Sequence, residues 1–203
     1  MPETRTTGHA GTRLVVLGGN SGSGKSTTAR ELRVRLGRGV AWVEQDHLRR
    51  IVLREHDVAF GINIGLIDQT ARYALDHRYD VILEGILDVT HYGAMLERLI
   101  ADHAGRTQLY YFDISFEETV RRHTTRPLAN EFTPDTMRAW YRPRDLLGQP
   151  GETVIDESST IDDTVGRILV ETGWATRPPE RAGDQALIAE PASRPAADVG
   201  ARS

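Results

Sequence analysis

The fold of this chain is decided by the stretch GNSGSGKS, which occupies residues 19–26. This stretch matches the pattern G-x-x-x-x-G-K-S in full. A short apolar run, Leu14–Leu17, precedes it, and a segment with apolar residues at helical spacing, Thr27–Leu36, follows it. Glycines let the backbone wind tightly, so that successive N–H groups point inward at the positive end of the helix. A strand, a glycine loop and a helix in this order therefore predict a phosphate-binding loop.

Lysine occurs at a single position, inside this loop. Of the 25 basic residues, Lys25 is the only lysine and the others are arginine. A compact ammonium suits this place better than a forked guanidinium, and we expect Lys25 to bridge the β- and γ-phosphates of a nucleotide while the Ser26 hydroxyl binds Mg²⁺. The residues expected to hold the nucleotide are Gly19, Asn20, Ser21, Gly22, Ser23, Gly24, Lys25, Ser26 and Thr27. The alternative is a glycine-rich turn with an incidental lysine.

The composition is that of one globular domain. With 203 residues, 39% hydrophobic and 27% charged, the chain is long enough for one α/β domain and too short for two comfortable ones. A net charge of −4 argues against a nucleic-acid partner, and the lack of cysteine excludes disulfides and thiolate sites. No apolar run approaches the roughly 20 residues that span a bilayer, and the N-terminus lacks the apolar core of a secretory signal. We therefore expect a cytoplasmic protein without a membrane partner.

Strands and helices alternate along the chain, which predicts an α/β fold in three layers, a parallel sheet with helices on both faces. The further strands expected are Val40–Glu44, Val81–Leu83, Gln108–Phe112 and a weak fifth at Thr153–Ile155. The further helices expected are Asp46–Glu55, Ile62–His77, His91–His103, Phe116–Thr125 and Ile161–Thr172. We expect a disordered N-terminus over residues 1–12, one domain over 13–174, and a disordered tail over 175–203, where the composition lacks periodicity.

Acidic residues follow two of the predicted strands, at the edge where ligands of parallel α/β sheets bind. Asp46 is the candidate base, because its carboxylate could accept the proton of an attacking hydroxyl; a helix N-cap is the alternative, and the two roles are compatible. Glu84 and Glu44 are candidate Mg²⁺ ligands, with ordinary strand ends as the alternative. Arg49 shares the helix face of Asp46 and either orients the acceptor or that carboxylate, or is surface charge. Asp46, Arg49 and Glu84 are the residues expected to face the acceptor.

Two arginines, Arg122 and Arg126, lie one helical turn apart in the sequence. They could close over the triphosphate and neutralise the charge that spreads during phosphate transfer. A solvated basic helix end is the alternative. A proline then ends the helix, and the long polar segment Leu128–Gln149 is typical of a mobile lid. Trp140 and Tyr141 belong to this segment, where they either serve the lid or simply pack its helix.

These motifs together resemble the small P-loop kinases related to zeta toxin and chloramphenicol phosphotransferase. The resemblance extends from about Leu14 to Trp174, and its motifs are residues 19–26, Asp46-His47-Leu48-Arg49, the strand end Val81–Gly85 and the Arg122 to Arg126 spacing. It implies a sheet of strand order 2-3-1-4-5, ATP as the phosphate donor, Asp46 in the position of the base and a helical lid that carries arginines. Acceptors in this group range from nucleotide sugars to antibiotics and nucleosides, so kinship does not identify the acceptor.

We therefore predict an ATP-dependent kinase that transfers the γ-phosphate of Mg·ATP to a hydroxyl of a small molecule, such as an antibiotic, a nucleoside or a sugar-like compound. The segments expected around the acceptor, Asp57–Thr70, Ile86–Met95 and Asn130–Leu147, carry few basic residues before Arg138, which favours a neutral acceptor. An ATP-binding or ATP-hydrolysing regulatory switch and a toxin-like nucleotide-sugar kinase are the alternatives. A monomer or a homodimer is expected.

Overall fold

The structure, a computed structural model, describes residues 6–124 and 133–176. Within these residues five strands form one parallel sheet of order β2-β3-β1-β4-β5. The strands are β1 (Arg13–Gly19), β2 (Val40–Glu44), β3 (Asp80–Glu84), β4 (Arg106–Asp113) and β5 (Thr153–Asp156). The predicted α/β class and the strand order implied by the resemblance are both confirmed. The weak fifth strand is present, and Tyr110 and Thr153 begin its pairing with β4.

Helices pack on both faces of this sheet. The α-helices are α1 (Lys25–Leu36), α2 (Ile62–Asp76), α3 (Val89–Asp102), α4 (Phe116–Thr124), α5 (Pro134–Trp140) and α6 (Ile161–Glu171). A 3₁₀ turn, Trp174–Thr176, follows α6. In the two described ranges, no helix is both long and apolar enough to cross a bilayer.

The segment after β2 differs from the prediction. The sequence predicts an α-helix over residues 46–55, whereas the structure has a π-helical segment at His47–Leu53. This segment ends at Arg54, whose φ of 57° lies in the left-handed region. The spacing of apolar residues does not distinguish the rare π-helix from an α-helix, and π-helical turns often occur beside functional sites.

Alternate residues of β1 face opposite layers of the molecule. Leu14 and Val16 pack in a cluster with residues of α2 and α3, whereas Val15 and Leu17 pack in a cluster with residues of α1 and α6. All four side chains are at most 4% exposed. Burial on both faces is typical of a central parallel strand. It places the loop that follows β1 at the middle of the carboxyl edge of the sheet.

Residues 6–12 lie against the domain. Thr7 is fully buried, and its backbone N–H donates to Asp102 O at 2.8 Å, while its carbonyl accepts from Ala104 N at 3.0 Å. The predicted disorder over residues 1–12 therefore does not hold for 6–12, because these backbone groups are paired. Likewise, residues 175 and 176 complete the 3₁₀ turn, although the prediction places them in a disordered tail. The rest of both predicted termini, 1–5 and 177–203, lies outside the described residues.

Candidate active site

The loop between β1 and α1 requires glycine at two positions where it touches other elements. Gly19 and Gly22 have φ values of 135° and 80°, which residues with side chains rarely adopt. A Cβ on Gly19 would lie 2.7 Å from Phe112 O, and a Cβ on Gly22 would lie 2.7 Å from Thr119 O. The loop is therefore pressed against β4 and α4. Because α1 begins directly after the loop, at Lys25, the unpaired N–H groups of its first turn lie beside the loop.

A cleft of about 480 Å³ lies at this loop, and we call it the loop cleft. Its lining includes the predicted residues Ser21, Gly22, Lys25, Ser26, Thr27, Glu44, Asp46 and Glu84. Arg30, Arg50 and His123 also line it and were not predicted. The structure thus brings the phosphate loop together with the acidic residues that follow β2 and β3.

Lys25 and Glu84 are both buried in the loop cleft. The Lys25 ammonium donates to Asn20 O at 2.8 Å and lies 3.3 Å from Ser23 Oγ. Glu84 is 2% exposed, and it lines the cleft together with Ser26. Burial raises the pKa of Glu84, an effect that the charge of Lys25 partly offsets. The loop cleft therefore contains a buried carboxyl group, that of Glu84, and a buried ammonium group, that of Lys25.

The oxygen atoms of Ser26 and Glu84 fit the Mg²⁺ ion that accompanies a nucleotide. Hydroxyl and carboxylate oxygens are ligands that Mg²⁺ prefers, and here both residues line the same cleft. Within the described ranges, no three Asp, Glu or His side chains are grouped closely enough to hold a metal by themselves. A Mg²⁺ ion would therefore take its other ligands from phosphate oxygens and water, as is usual for this ion. Glu44 lines the same cleft, and burial raises its pKa too.

Asp46 does not cap the helical segment that follows β2. Its own backbone is helical, with φ −64° and ψ −38°, and its side chain makes no cap hydrogen bond. The carboxylate instead accepts from Arg49 Nη2 at 2.7 Å and lies 3.8 Å from Arg50 Nη1. The Asp46 side chain is 46% exposed. The geometry therefore offers no support for the capping role, and it leaves the carboxylate accessible from the cleft.

A second cleft, of about 580 Å³, adjoins the first, and we call it the side cleft. Ser21, Asp46, Arg50 and Ile86 line both clefts. The side cleft is completed by Arg49, His56, Asp57, Val58, Asp88, His91, Trp140 and Arg142. Asp46 therefore lies at the junction of the two clefts, and Arg49 lies in the side cleft, where an acceptor-facing residue was predicted.

Of the two predicted arginines, Arg122 contacts the phosphate loop. Its Nη1 donates to Ser23 O at 3.1 Å, and its Nε donates to Glu118 Oε1 at 2.6 Å. The guanidinium groups of Arg121 and Arg122 lower the pKa of Glu118 to about 2. Arg122 is thus a cation fixed beside the loop. Arg126 lies outside the described residues, so its pairing with Arg122 stays a prediction.

The two aromatic residues of the predicted lid segment have different surroundings. Tyr141 packs edge-on against Phe116, with ring centroids 5.4 Å apart, and its hydroxyl donates to Ile114 O at 3.0 Å. Trp140, at the end of α5, is 42% exposed and lines the side cleft. Tyr141 therefore packs within the protein, whereas Trp140 forms part of the wall of the side cleft. The start of the segment, residues 128–132, lies outside the described ranges.

Asn20 ties the phosphate loop to the chain that follows α5, a connection that the sequence did not reveal. Its Nδ2 donates to Arg142 O at 2.7 Å, and its Oδ1 accepts from Arg142 N at 2.8 Å. Any contact of Asn20 with a nucleotide would therefore come chiefly from its backbone. Asn20 occupies a variable position of the motif, and no local pattern indicates a partner 122 residues away.

A buried group of polar residues next to Asp46 was also not predicted from the sequence. The Tyr92 hydroxyl donates to Asp57 Oδ1 at 2.8 Å, and Gln45 Nε2 donates to Asp57 Oδ2 at 2.9 Å. Gly85 lies so close that a Cβ there would be 2.5 Å from Gln45 Cβ. The only available signals were the position of Gln45 beside Asp46 and that of Asp57 at the start of a predicted acceptor segment.

This sheet order, with the G-x-x-x-x-G-K-S loop at its carboxyl edge, is that of the P-loop kinases. Solved structures with the same fold include an APS kinase from Mycobacterium tuberculosis in complex with AMPPNP and APS (19% identity, 81% of this chain and 97% of that chain, TM-score 0.59). They also include a sugar kinase from Janibacter sp. HTCC2649 (18% identity, 82% and 99%, TM-score 0.60) and a gluconokinase from Sinorhizobium meliloti 1021 (16% identity, 84% and 94%, TM-score 0.57). At these identities the likeness shows the fold alone.

Within this class, the chain belongs to the zeta toxin family. The family model described as Zeta toxin matches residues 4–138, which is more than half of the chain. A search of the curated proteins found no match. The matched range includes the phosphate loop, Asp46, Glu84 and Arg122, so the family resemblance inferred from these residues is confirmed.

Proposed function

We propose that this protein is a kinase that transfers the γ-phosphate of ATP to a hydroxyl group of a small molecule. The observation that carries the proposal is the position of Asp46 at the junction of the loop cleft and the side cleft. The loop cleft has the groups that hold phosphates, and the side cleft is large enough for a second small molecule. A carboxylate between them is in the right place to accept the proton of an attacking hydroxyl.

In the proposed reaction the loop N–H groups and Lys25 hold the β- and γ-phosphates, and Arg122 adds positive charge beside them. The acceptor oxygen forms a bond to the γ-phosphorus as the bond to the β–γ bridging oxygen breaks, and ADP leaves. The acceptor proton passes to Asp46, whose carboxylate is oriented by its 2.7 Å bond from Arg49. Mg²⁺ at Ser26 and Glu84, when bound, neutralises phosphate charge.

A toxin-like nucleotide-sugar kinase is a second candidate, which the match to the Zeta toxin model favours. It shares the donor site and differs only in the acceptor. A regulatory switch has less support, because it would need no second cleft beside the candidate base.

The test is incubation of the protein with Mg·ATP and a panel of nucleosides, sugars, antibiotics and nucleotide sugars, with phosphate adducts detected by mass spectrometry. We expect an adduct on at least one panel member and none with Lys25→Ala. ATP consumption that is the same with and without every panel member, and that leaves no adduct, would instead support a switch.

A further inference from the structure

The side cleft contains a carboxylate that the proposed transfer does not use. Asp57 lines this cleft, and its side chain is 26% exposed, so its oxygen atoms can be reached by a ligand. No arginine or lysine in the described ranges forms an ion pair with it. Besides the Tyr92 hydroxyl, which donates to Asp57 Oδ1 at 2.8 Å, the titratable group near it is His91. The Nδ1 of His91 lies 3.6 Å from Asp57 Oδ1 and has no hydrogen-bond partner among the described residues. Asp57 thus differs from the other carboxylates of this cleft.

A buried network holds Asp57 in one orientation. The Tyr92 hydroxyl donates its single proton to Asp57 and accepts from Gln45 Nε2 at 2.9 Å and from Asn63 Nδ2 at 2.8 Å. The Gln45 amide donates also to Asp57, and its oxygen accepts from Ile86 N at 3.2 Å. Each Asp57 oxygen therefore accepts one hydrogen bond from the protein and can accept another from a ligand. Because the Tyr92 proton and both Gln45 amide protons are already used, these two residues hold Asp57 as a hydrogen-bond acceptor at the side cleft.

The charges of the side cleft are otherwise compensated. Asp46 accepts from Arg49 at 2.7 Å, and Asp88 lies 3.5 Å from Arg142 Nε. The third arginine of the cleft, Arg50, lies 3.8 Å from Asp46 Oδ2, so all three are placed beside carboxylates other than Asp57. Arg50 also lines the loop cleft. An anionic acceptor would consequently meet the charge of Asp57, whereas an uncharged or amine-bearing acceptor would be favoured.

The side cleft also offers apolar contact. Val58 is 52% exposed and Trp140 is 42% exposed, and Ile86 completes this surface. A sugar-like ring has C–H groups that pack on such side chains and hydroxyl groups that donate to a carboxylate. Both kinds of contact are available in this one cleft.

We propose that Asp57 is a specificity-determining residue that binds hydroxyl or amino groups of the acceptor, and that the acceptor is an uncharged or amine-bearing polyol. This inference rests on the proposed kinase function. Gln45 and Tyr92 are positioning residues, which act through Asp57.

The test uses four probes that carry a hexose skeleton and differ in charge: glucosamine, glucose, gluconate and UDP-glucose. Wild-type protein should phosphorylate glucosamine and glucose with a lower KM than gluconate and UDP-glucose. Asp57→Asn should raise the KM for glucosamine about tenfold or more, because a hydrogen bond to a charged group is lost, while kcat stays within about threefold. Glu55→Gln removes an exposed carboxylate two residues away that lines neither cleft, and it should change neither value.

Tyr92→Phe separates positioning from binding. It removes the hydroxyl that donates to Asp57 but keeps the carboxylate, so the KM for glucosamine should rise by about threefold while the preference for glucosamine over gluconate remains. Asp57→Asn should abolish that preference. A purely structural role for Asp57 would instead lower the melting temperature and leave the charge preference unchanged.

The inference is overturned if gluconate or UDP-glucose is the best probe, or if Asp57→Asn leaves the KM for glucosamine unchanged. A binding measurement separates this failure from failure of the kinase proposal. With Mg²⁺ and AMPPNP present, calorimetric titration should show glucosamine binding more tightly than gluconate, and Asp57→Asn should remove the difference. Equal binding of the two probes to wild-type protein would contradict the role of Asp57 even if other compounds are phosphorylated. Tight glucosamine binding without any phosphate transfer would contradict the proposed kinase function but not the role of Asp57.

Discussion

The loop cleft and the side cleft meet at Asp46, yet the chain builds them in different ways. The loop cleft takes its phosphate-binding groups from one contiguous stretch, residues 19–27, and adds the ends of β2 and β3. The side cleft takes its walls from the segment 46–58, the start of α3 and residues 140–142. In the first, spacing along the sequence already encodes the geometry. In the side cleft, only the tertiary fold brings the residues together. The proposed donor site can therefore be predicted from the sequence, whereas the proposed acceptor site cannot.

The sharpest test of the loop cleft is Lys25→Ala. Loss of the ammonium should lower phosphate transfer by about 10³-fold or more, because charge stabilisation of the transferring phosphate is lost. Initial rates measure the effect, and circular dichroism checks that the fold is kept. Lys25→Arg is the matched control, since it retains the charge but not the compact shape, and it should restore little activity. Unchanged turnover in Lys25→Ala would contradict the assignment of the loop.

The junction of the clefts is tested by Asp46→Asn. The variant should lower kcat by about 10²- to 10³-fold, as expected for loss of a general base, and leave the affinity for ATP within about twofold. Its melting temperature should change little, because the Asp46 side chain makes no cap hydrogen bond and its ion pair with Arg49 is partly exposed. If ATP affinity and melting temperature fell together with kcat, a structural role would explain the residue better.

The link between the two clefts is tested by Asn20→Ala. The change removes both hydrogen bonds to the Arg142 backbone, which should lower the free energy of unfolding by about 1–3 kcal/mol. Because Arg142 lines the side cleft, the KM for the acceptor should rise as well as that for ATP. Ser21→Ala, at the next residue, should leave thermal stability nearly unchanged. A rise in the KM for ATP alone would show that the two clefts are independent.

The smallest expected effect is on the pH dependence of stability, through Glu84. Burial is the main cause that raises the pKa of Glu84 in the folded protein above its ordinary value of 4.5. The charged form of Glu84 therefore destabilises the fold. The free energy of unfolding consequently falls as the pH rises from 4.5 through the folded-state pKa. Glu84→Gln should therefore be more stable than the wild-type protein at pH 8, by a few degrees in melting temperature, and this gain should disappear near pH 4. The same variant should bind ATP less tightly when Mg²⁺ is present. A variant that is less stable at pH 8 would contradict the sign of this effect.

Particular elements show how far the sequence predicts this structure. Val40–Glu44 forms a strand with the predicted bounds, because a short apolar run between loops leaves few choices. The pairing of residues 6–12 was missed, because polar residues such as Thr7 are buried there through contacts with α2, α3 and the residues after α3. Asp57 was missed for the same reason, since its partner Tyr92 lies 35 residues away. Local patterns predicted the strands and the phosphate loop, whereas non-local hydrogen bonds determined the remaining features.

Nucleotide binding by the loop of residues 19–26 is measured most directly by a calorimetric titration of the folded protein with ATP in the presence of Mg²⁺. We expect one nucleotide bound per chain, with an affinity that Lys25→Ala reduces strongly and Asp57→Asn leaves unchanged. If the wild-type protein is folded and shows no affinity for ATP, the loop does not hold nucleotide phosphates, and the proposed function is wrong.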